Sequence, residues 1–355
     1  MKRRDFLKLG TYSSAGLVAG NISLLAWTPR AHAAHLPVNL EIISGFQKMI
    51  DNKGLYMFSF SGLSADGKKT TEFPGPTLIC QEGDTIDVKL TNTLSTHSSF
   101  MVAGTDIAHE VAPGGSIQFS FAAPAAGSYL YHDGLNNGVN RVMGLHGALI
   151  VMPAGKKNIS FNGGPDFVRQ YKWLLGNVDP NWSHLVNNNG DDYVTQLSID
   201  QFEPKYFTLN GASYHDTHTP DTELMGAIGE AALVRMINAG LAVHSLHFHG
   251  NHVEVASINR QNFSSHRKHK DVISMFPEDA RDAVIPFEVP RDIPPQEFKL
   301  GFDIVEHPQH YPMHCHTELS QTAGGGFYPH GMHTGIVIGQ SPETESEVTQ
   351  GMNSL

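Results

Sequence analysis

The sequence predicts an all-β protein built as two tandem Greek-key β-sandwiches. Short β-like runs alternate with Gly, Pro and Asn about every ten residues, the rhythm of antiparallel strands joined by tight turns. Few stretches sustain a helical period. The chain also repeats itself at a distance: each half ends in a histidine-bearing strand followed by a Gly-flanked apolar strand. A chain of 355 residues is long enough for two domains of ordinary size.

Residues 1–33 read as a twin-arginine signal peptide. They begin Met1-Lys2-Arg3-Arg4-Asp5-Phe6-Leu7-Lys8, continue through a Gly- and Ala-rich apolar run, and end Ala31-His32-Ala33. Tyr, Ser and Asn interrupt the apolar run, which favours cleavage over anchoring, and no later segment is apolar enough to span a bilayer. Export to the periplasm, or otherwise out of the cytoplasm, is the expected destination. Cleavage moves the net charge from −11 to about −15. Such a surface excludes charge-driven binding of nucleic acid or of an anionic membrane.

The first sandwich is expected over 34–153, with Gly54–Phe60 and Thr85–Thr91 as typical strands. Residues 154–168, rich in Gly, Asn and Lys, read as a linker. The second sandwich is expected over 169–340, and the polar, acidic tail 341–355 as disorder. Of the two cysteines, Cys80 reads as a small buried apolar residue. Cys315, set between two histidines, reads as a metal thiolate rather than half of a disulfide.

Two strands carry the chemistry: His244-Ser245-Leu246-His247-Phe248-His249-Gly250 and Met313-His314-Cys315-His316. Side chains alternate along a strand, so His247 and His249 share a face, and His314 and His316 share one that Cys315 does not. A His-Cys-His triplet can therefore serve two metal sites, one on each face. Thiolate with imidazole, in an exported protein, suits copper of the blue type.

The pair H-x-x-H-x-H-G and H-C-H resembles the C-terminal copper motifs of multicopper oxidases. Pro74–Asp84 followed by Asn92, Gly127–Asp133 and Gly144–Val151 resemble the family's first-domain motifs. Phe207–Tyr214 and Gly229–Asn238 resemble its second. The resemblance implies tandem cupredoxin-like domains and copper as cofactor, in a type 1 site plus a type 2/type 3-like cluster. For type 1 copper it implies His244, Cys315, His330 and Met332, with His333 the alternative to His330. For the cluster it implies four His-x-His pairs. His247 with His249 and His314 with His316 are intact. In the first domain only His97 and His132 remain, with Ser99 and Gly134 in their partners' places. His109 and His146 lie nearby at a different spacing, and His252 could support a ligand from behind. Two-domain laccases of this pattern imply a homotrimer, with the cluster between domain one of one subunit and domain two of the next.

The expected function is an exported copper oxidase. A small phenolic or metal-ion reductant gives electrons at the type 1 copper. They cross Cys315 and its neighbours His314 and His316 to the cluster, where dioxygen is reduced. Because the first-domain pairs are broken, the alternative is an electron-transfer or copper-tolerance protein without a complete cluster. A copper nitrite reductase would carry its type 1 cysteine in the first domain, and this chain carries it in the second.

Overall fold

A computed structural model describes residues 18–19, 30–63, 69–70, 73–156, 158–290 and 308–342. Nearly all of the expected signal peptide and of the polar tail lie outside the described residues. The chain forms β-sheets with few helices.

In the first domain, one sheet joins Gly54–Leu63, His35–Lys48, Thr85–Asn92 and Ser116–Ala122. The facing sheet joins Thr77–Gln81, His146–Met152, Gly127–His132, Ser98–Val102 and Ala108–Val111. The first sheet keeps the alternation of a half-solvated surface: Ile86, Val88 and Leu90 point inward while their neighbours reach water. The facing sheet does not alternate. Every residue of Gly127–His132 and His146–Met152 is buried, because this sheet is covered on both sides.

Its second cover is the other domain. Arg169–Val178, Ala231–Asn238 and Ala280–Pro286 form the corresponding inner sheet of domain two. Ile79, Leu130, Ala148 and Ile150 share one apolar cluster with Leu174, Leu233, Ile237 and Val284. Within that interface Arg235 and Asp282 form a fully buried ion pair. Arg235 also donates from Nη1 to Ser128 Oγ at 3.1 Å and from Nε to Gln170 Oε1 at 2.9 Å. Ser128 donates to Asp282 Oδ1 at 2.6 Å, so a first-domain hydroxyl completes a second-domain pair.

The outer sheet of domain two joins Leu224–Gly226, His333–Ile338, Gln309–Cys315, His244–Phe248 and Val272–Met275. All the intact histidine motifs lie on it. One insertion departs from the expected plan. The helix Pro180–Asn189, N-capped by Asp179, falls inside the second-domain span. Yet Trp182 and Val186, with Tyr193 beyond them, pack into the first domain's core.

Candidate metal centre

The central strands of the outer sheet set two donor groups back to back. Leu246 pairs with Cys315 and His247 with His314, and opposed residues in an antiparallel pair share a face. Along His244–Phe248 the burial alternates: His244, Leu246 and Phe248 are buried, while Ser245 and His247 are partly open. Cys315 and Met313 join the inner, core-facing set. His247, His249, His314 and His316 fall on the outer face. Gly250 turns the chain directly behind His249. It sits at φ +79, and a Cβ there would lie 2.9 Å from the Tyr311 ring.

On the outer face, ligating nitrogens of His247, His249 and His314 all lie within 4.8 Å of one another. His249 Nε2 and His314 Nε2 are 3.2 Å apart. Two imidazole nitrogens at about 2.0–2.1 Å from one ion, about 90–110° apart, stand about 2.9–3.4 Å from each other. His316 closes the group, its ring centroid 4.8 Å from that of His247 and 5.0 Å from that of His314. Nδ1 of His247 and of His314 is buried without a hydrogen-bond partner. Burial, and then the neighbouring imidazoles, hold the pKa of His247 and His249 below the ordinary histidine value; burial and His249 do the same for His314. Neutral, crowded imidazoles with unpaired nitrogens are the donor set a borderline metal such as copper requires, and this face fits it.

The inner pocket is different. Cys315 Sγ lies 3.6 Å from His244 Nδ1 and accepts the Ser245 N–H at 3.3 Å. Met332 is fully buried in the same apolar cluster, and its carbonyl accepts the Cys315 N–H at 3.0 Å. The remaining polar atom at His244 Nδ1 is Ser320 Oγ, at 3.0 Å. No second imidazole joins: among the described residues, His247, His249 and His314 are the one group of three His, Cys, Asp or Glu donors close enough to share an ion. A type 1 site needs two imidazoles with its thiolate, and neither His330 nor His333, the two expected candidates, joins Cys315 and His244 in such a group. The His330 ring packs 4.9 Å from that of Tyr214 and 6.2 Å from that of Phe327. His333 pairs directly with His314, which turns it to the outer face. There it stands beside His218, with a buried, unpartnered Nδ1. Burial pushes its pKa down to about 4.

Within one chain the first-domain candidates His97 and His132, expected to serve the cluster of a neighbouring subunit, join no such donor group among the described residues. His97 is exposed and paired with Glu110 at 2.6 Å. His132 is buried and donates from Nδ1 to the Asp133 carbonyl at 2.9 Å. It pairs with Met101, four residues beyond His97, a span of about 13 Å in extended chain. His109 stacks on Phe119 with centroids 3.9 Å apart. His146 lies directly opposite His132 and is tied through Nδ1 to the Arg141 carbonyl at 2.7 Å. His252 is exposed.

Ser320, Asn177 and His218 were not singled out in the sequence. Ser320 follows Cys315 by five residues and carried a signal only as a hydroxyl in the Cys315 loop. Asn177 ends an apolar strand and gave none.

A β-sandwich pair with histidine strands on its outer sheet defines a two-domain cupredoxin architecture. Solved structures of that architecture superpose on this chain. A blue copper oxidase from Nitrosomonas europaea does so with TM-score 0.66 and 20% identity, covering 85% of each chain. A copper nitrite reductase from Nitrosomonas europaea does so with TM-score 0.62 and 17% identity, covering 88% of this chain and 96% of that one. Residues 69–156 match the family model described as multicopper oxidase. An L-ascorbate oxidase of Cucurbita pepo var. melopepo is 36% identical over 160 residues, 41% of this chain and 27% of that protein. A copper-containing nitrite reductase of Neisseria gonorrhoeae is 24% identical over 223 residues, 59% of this chain and 51% of that protein. The chain thus spans about a quarter to a half of the length of these relatives.

Proposed function

We propose that this chain is a copper-dependent oxidoreductase of the multicopper oxidase kind, moving electrons from a small reductant to dioxygen. The observation that carries it is the outer face, where four imidazoles crowd together and two buried Nδ1 atoms lack partners. Bound copper would supply one-electron redox chemistry at that face. His247, His249, His314 and His316 would hold it. Leu246, Phe248, Met313 and Cys315 close the sheet behind it and keep water from that side. His316 is exposed, so a small phenol, or a cuprous or manganous ion, can reach the centre directly. Export through the twin-arginine pathway and assembly as a homotrimer belong to the same proposal. Half-exposed ligands on one domain suit a site that a second copy covers.

The test is a copper count on the purified protein with oxygen uptake on a phenolic and on a cuprous substrate. Copper bound with uptake that His314→Ala abolishes is the expected outcome. No copper bound at neutral pH would end the proposal. A second reading, a copper-holding or electron-transfer protein, is favoured by the missing first-domain ligands. Copper bound without oxygen uptake would select it.

A further inference from the structure

We infer that the Cys315 pocket is a closed thiol–imidazole hydrogen-bond site rather than a second copper centre, and that Asn177 closes it by choosing which nitrogen of His244 carries the proton. This rests on the outer-face proposal only for where the copper goes instead.

The argument follows the donors and acceptors around one amide. Asn177 Oδ1 accepts the Ala242 N–H at 2.9 Å, and Asn177 Nδ2 donates to the Gly176 carbonyl at 3.1 Å. An N–H cannot accept and a carbonyl cannot donate, so these two bonds fix the amide's orientation. The amide is also pressed against backbone: a Cβ built on Gly240 would lie 2.0 Å from Asn177 Oδ1. Thus the group facing His244 Nε2, at 2.9 Å, is the Nδ2 donor. Nε2 must accept, and a neutral imidazole that accepts at Nε2 carries its hydrogen on Nδ1.

That hydrogen points into the pocket. It donates to Ser320 Oγ at 3.0 Å, with Cys315 Sγ at 3.6 Å beside it. The corner a second imidazole would need is held by the Ser320 hydroxyl. Ser320 is itself fully buried and anchored by its carbonyl, which accepts the Met332 N–H at 2.7 Å. Copper at this pocket would need Nδ1 without its hydrogen. The proton would then sit on Nε2, facing another donor at 2.9 Å. It would also lack the second nitrogen that a blue centre takes. Two obstacles with separate causes, a locked tautomer and a hydroxyl in the third corner, leave the outer imidazoles as the copper site of this domain. Electrons would then arrive at that face without crossing Cys315.

The direct test is a long-range proton–nitrogen NMR correlation on histidine-labelled, metal-free protein. The expected spectrum shows His244 protonated on Nδ1 and bare on Nε2, and Asn177→Asp, which offers Nε2 an acceptor, reverses the pattern. A wild-type His244 protonated on Nε2 overturns the inference. The second test is copper titration watched in the visible. Wild-type protein should take up copper without the intense blue thiolate band. Ser320→His should develop that band, and adding Cys315→Ser should remove it. A blue band in wild-type protein that Cys315→Ser abolishes also overturns the inference. A folded, copper-loaded S320H that stays colourless overturns the role given to Ser320. A chain that binds no copper defeats the outer-face proposal, while the tautomer spectrum still decides this one.

Discussion

The two domains share one architecture and have filled the corresponding ends of their sheets with opposite chemistry. In domain two, His247 and His314 each leave a buried Nδ1 unpaired, on a face where His249 is partly open and His316 exposed. In domain one the place is packed shut by a buried carboxylate. Asp133 accepts from Ser99 N at 3.0 Å, Ser99 Oγ at 3.3 Å, Leu135 N at 2.7 Å and Asn140 Nδ2 at 3.2 Å. Asn140 Oδ1 in turn accepts from the Tyr193 hydroxyl at 3.0 Å. At Gly134, a Cβ would lie 2.0 Å from Met101 Sδ, so Met101 occupies the room an imidazole would take. The difference teaches that the same strand geometry serves ligation or cohesion according to whether its polar atoms are left unmet or satisfied.

The comparison breaks most sharply if ligation is removed. His314→Ala should lower copper affinity by more than about a hundred-fold, measured by competition with a chelator, since even the partners behind a ligand are worth about 10–100-fold. Chemical denaturation should register little change, because that side chain is half-exposed. Asp133→Ala should do the reverse. It strands several buried donors and should cost about 3 kcal/mol of unfolding free energy while leaving the copper count alone. Gly134→His should cost about 1–3 kcal/mol by overpacking and bring no extra copper. Adding Met101→Ala should recover part of that loss.

The smallest effect is a slope with pH. His146 is buried, and burial pushes its pKa down to about 4 from the ordinary 6.5. The unfolded chain therefore takes up the proton first. His146 contributes its full stability above about pH 6.5 and loses it as the pH falls toward 4. Between pH 6.5 and 5.5 the loss should be about 1 kcal/mol. Metal-free H146Q should show a flatter slope than wild type across that window, and equal slopes would remove His146 as the cause.

The β-sandwich plan and the face of every intact histidine motif were legible in the sequence, because both follow from a period of two. Leu246 opposite Cys315 and His247 opposite His314 are what alternation and antiparallel pairing require. His333 could have been turned the right way by the same rule, once its strand was set beside that of His314. What was not legible depends on contacts across long loops. Ser320 reaches His244 over 76 residues and Asn177 reaches it over 67. The helix at Pro180–Asn189 crosses to the first domain for the same reason: Trp182 finds an apolar partner there that no local pattern announces.

The Arg235–Asp282 pair has a consequence for how the molecule comes apart. Its two charges compensate each other within domain two, and Ser128 and Met152 of the first domain add further contacts to the pair. Pulling the sandwiches apart would expose the apolar sheet faces around it and leave Ser128 and Met152 without the guanidinium. Loosening either half forfeits those contacts and uncovers the apolar interface of Ile79, Leu130, Leu174 and Leu233, a cost that couples the two sandwiches. On heating, the two sandwiches are therefore expected to melt together, as one calorimetric transition whose enthalpy belongs to the whole chain, and two resolved transitions would show that the interface does not couple them.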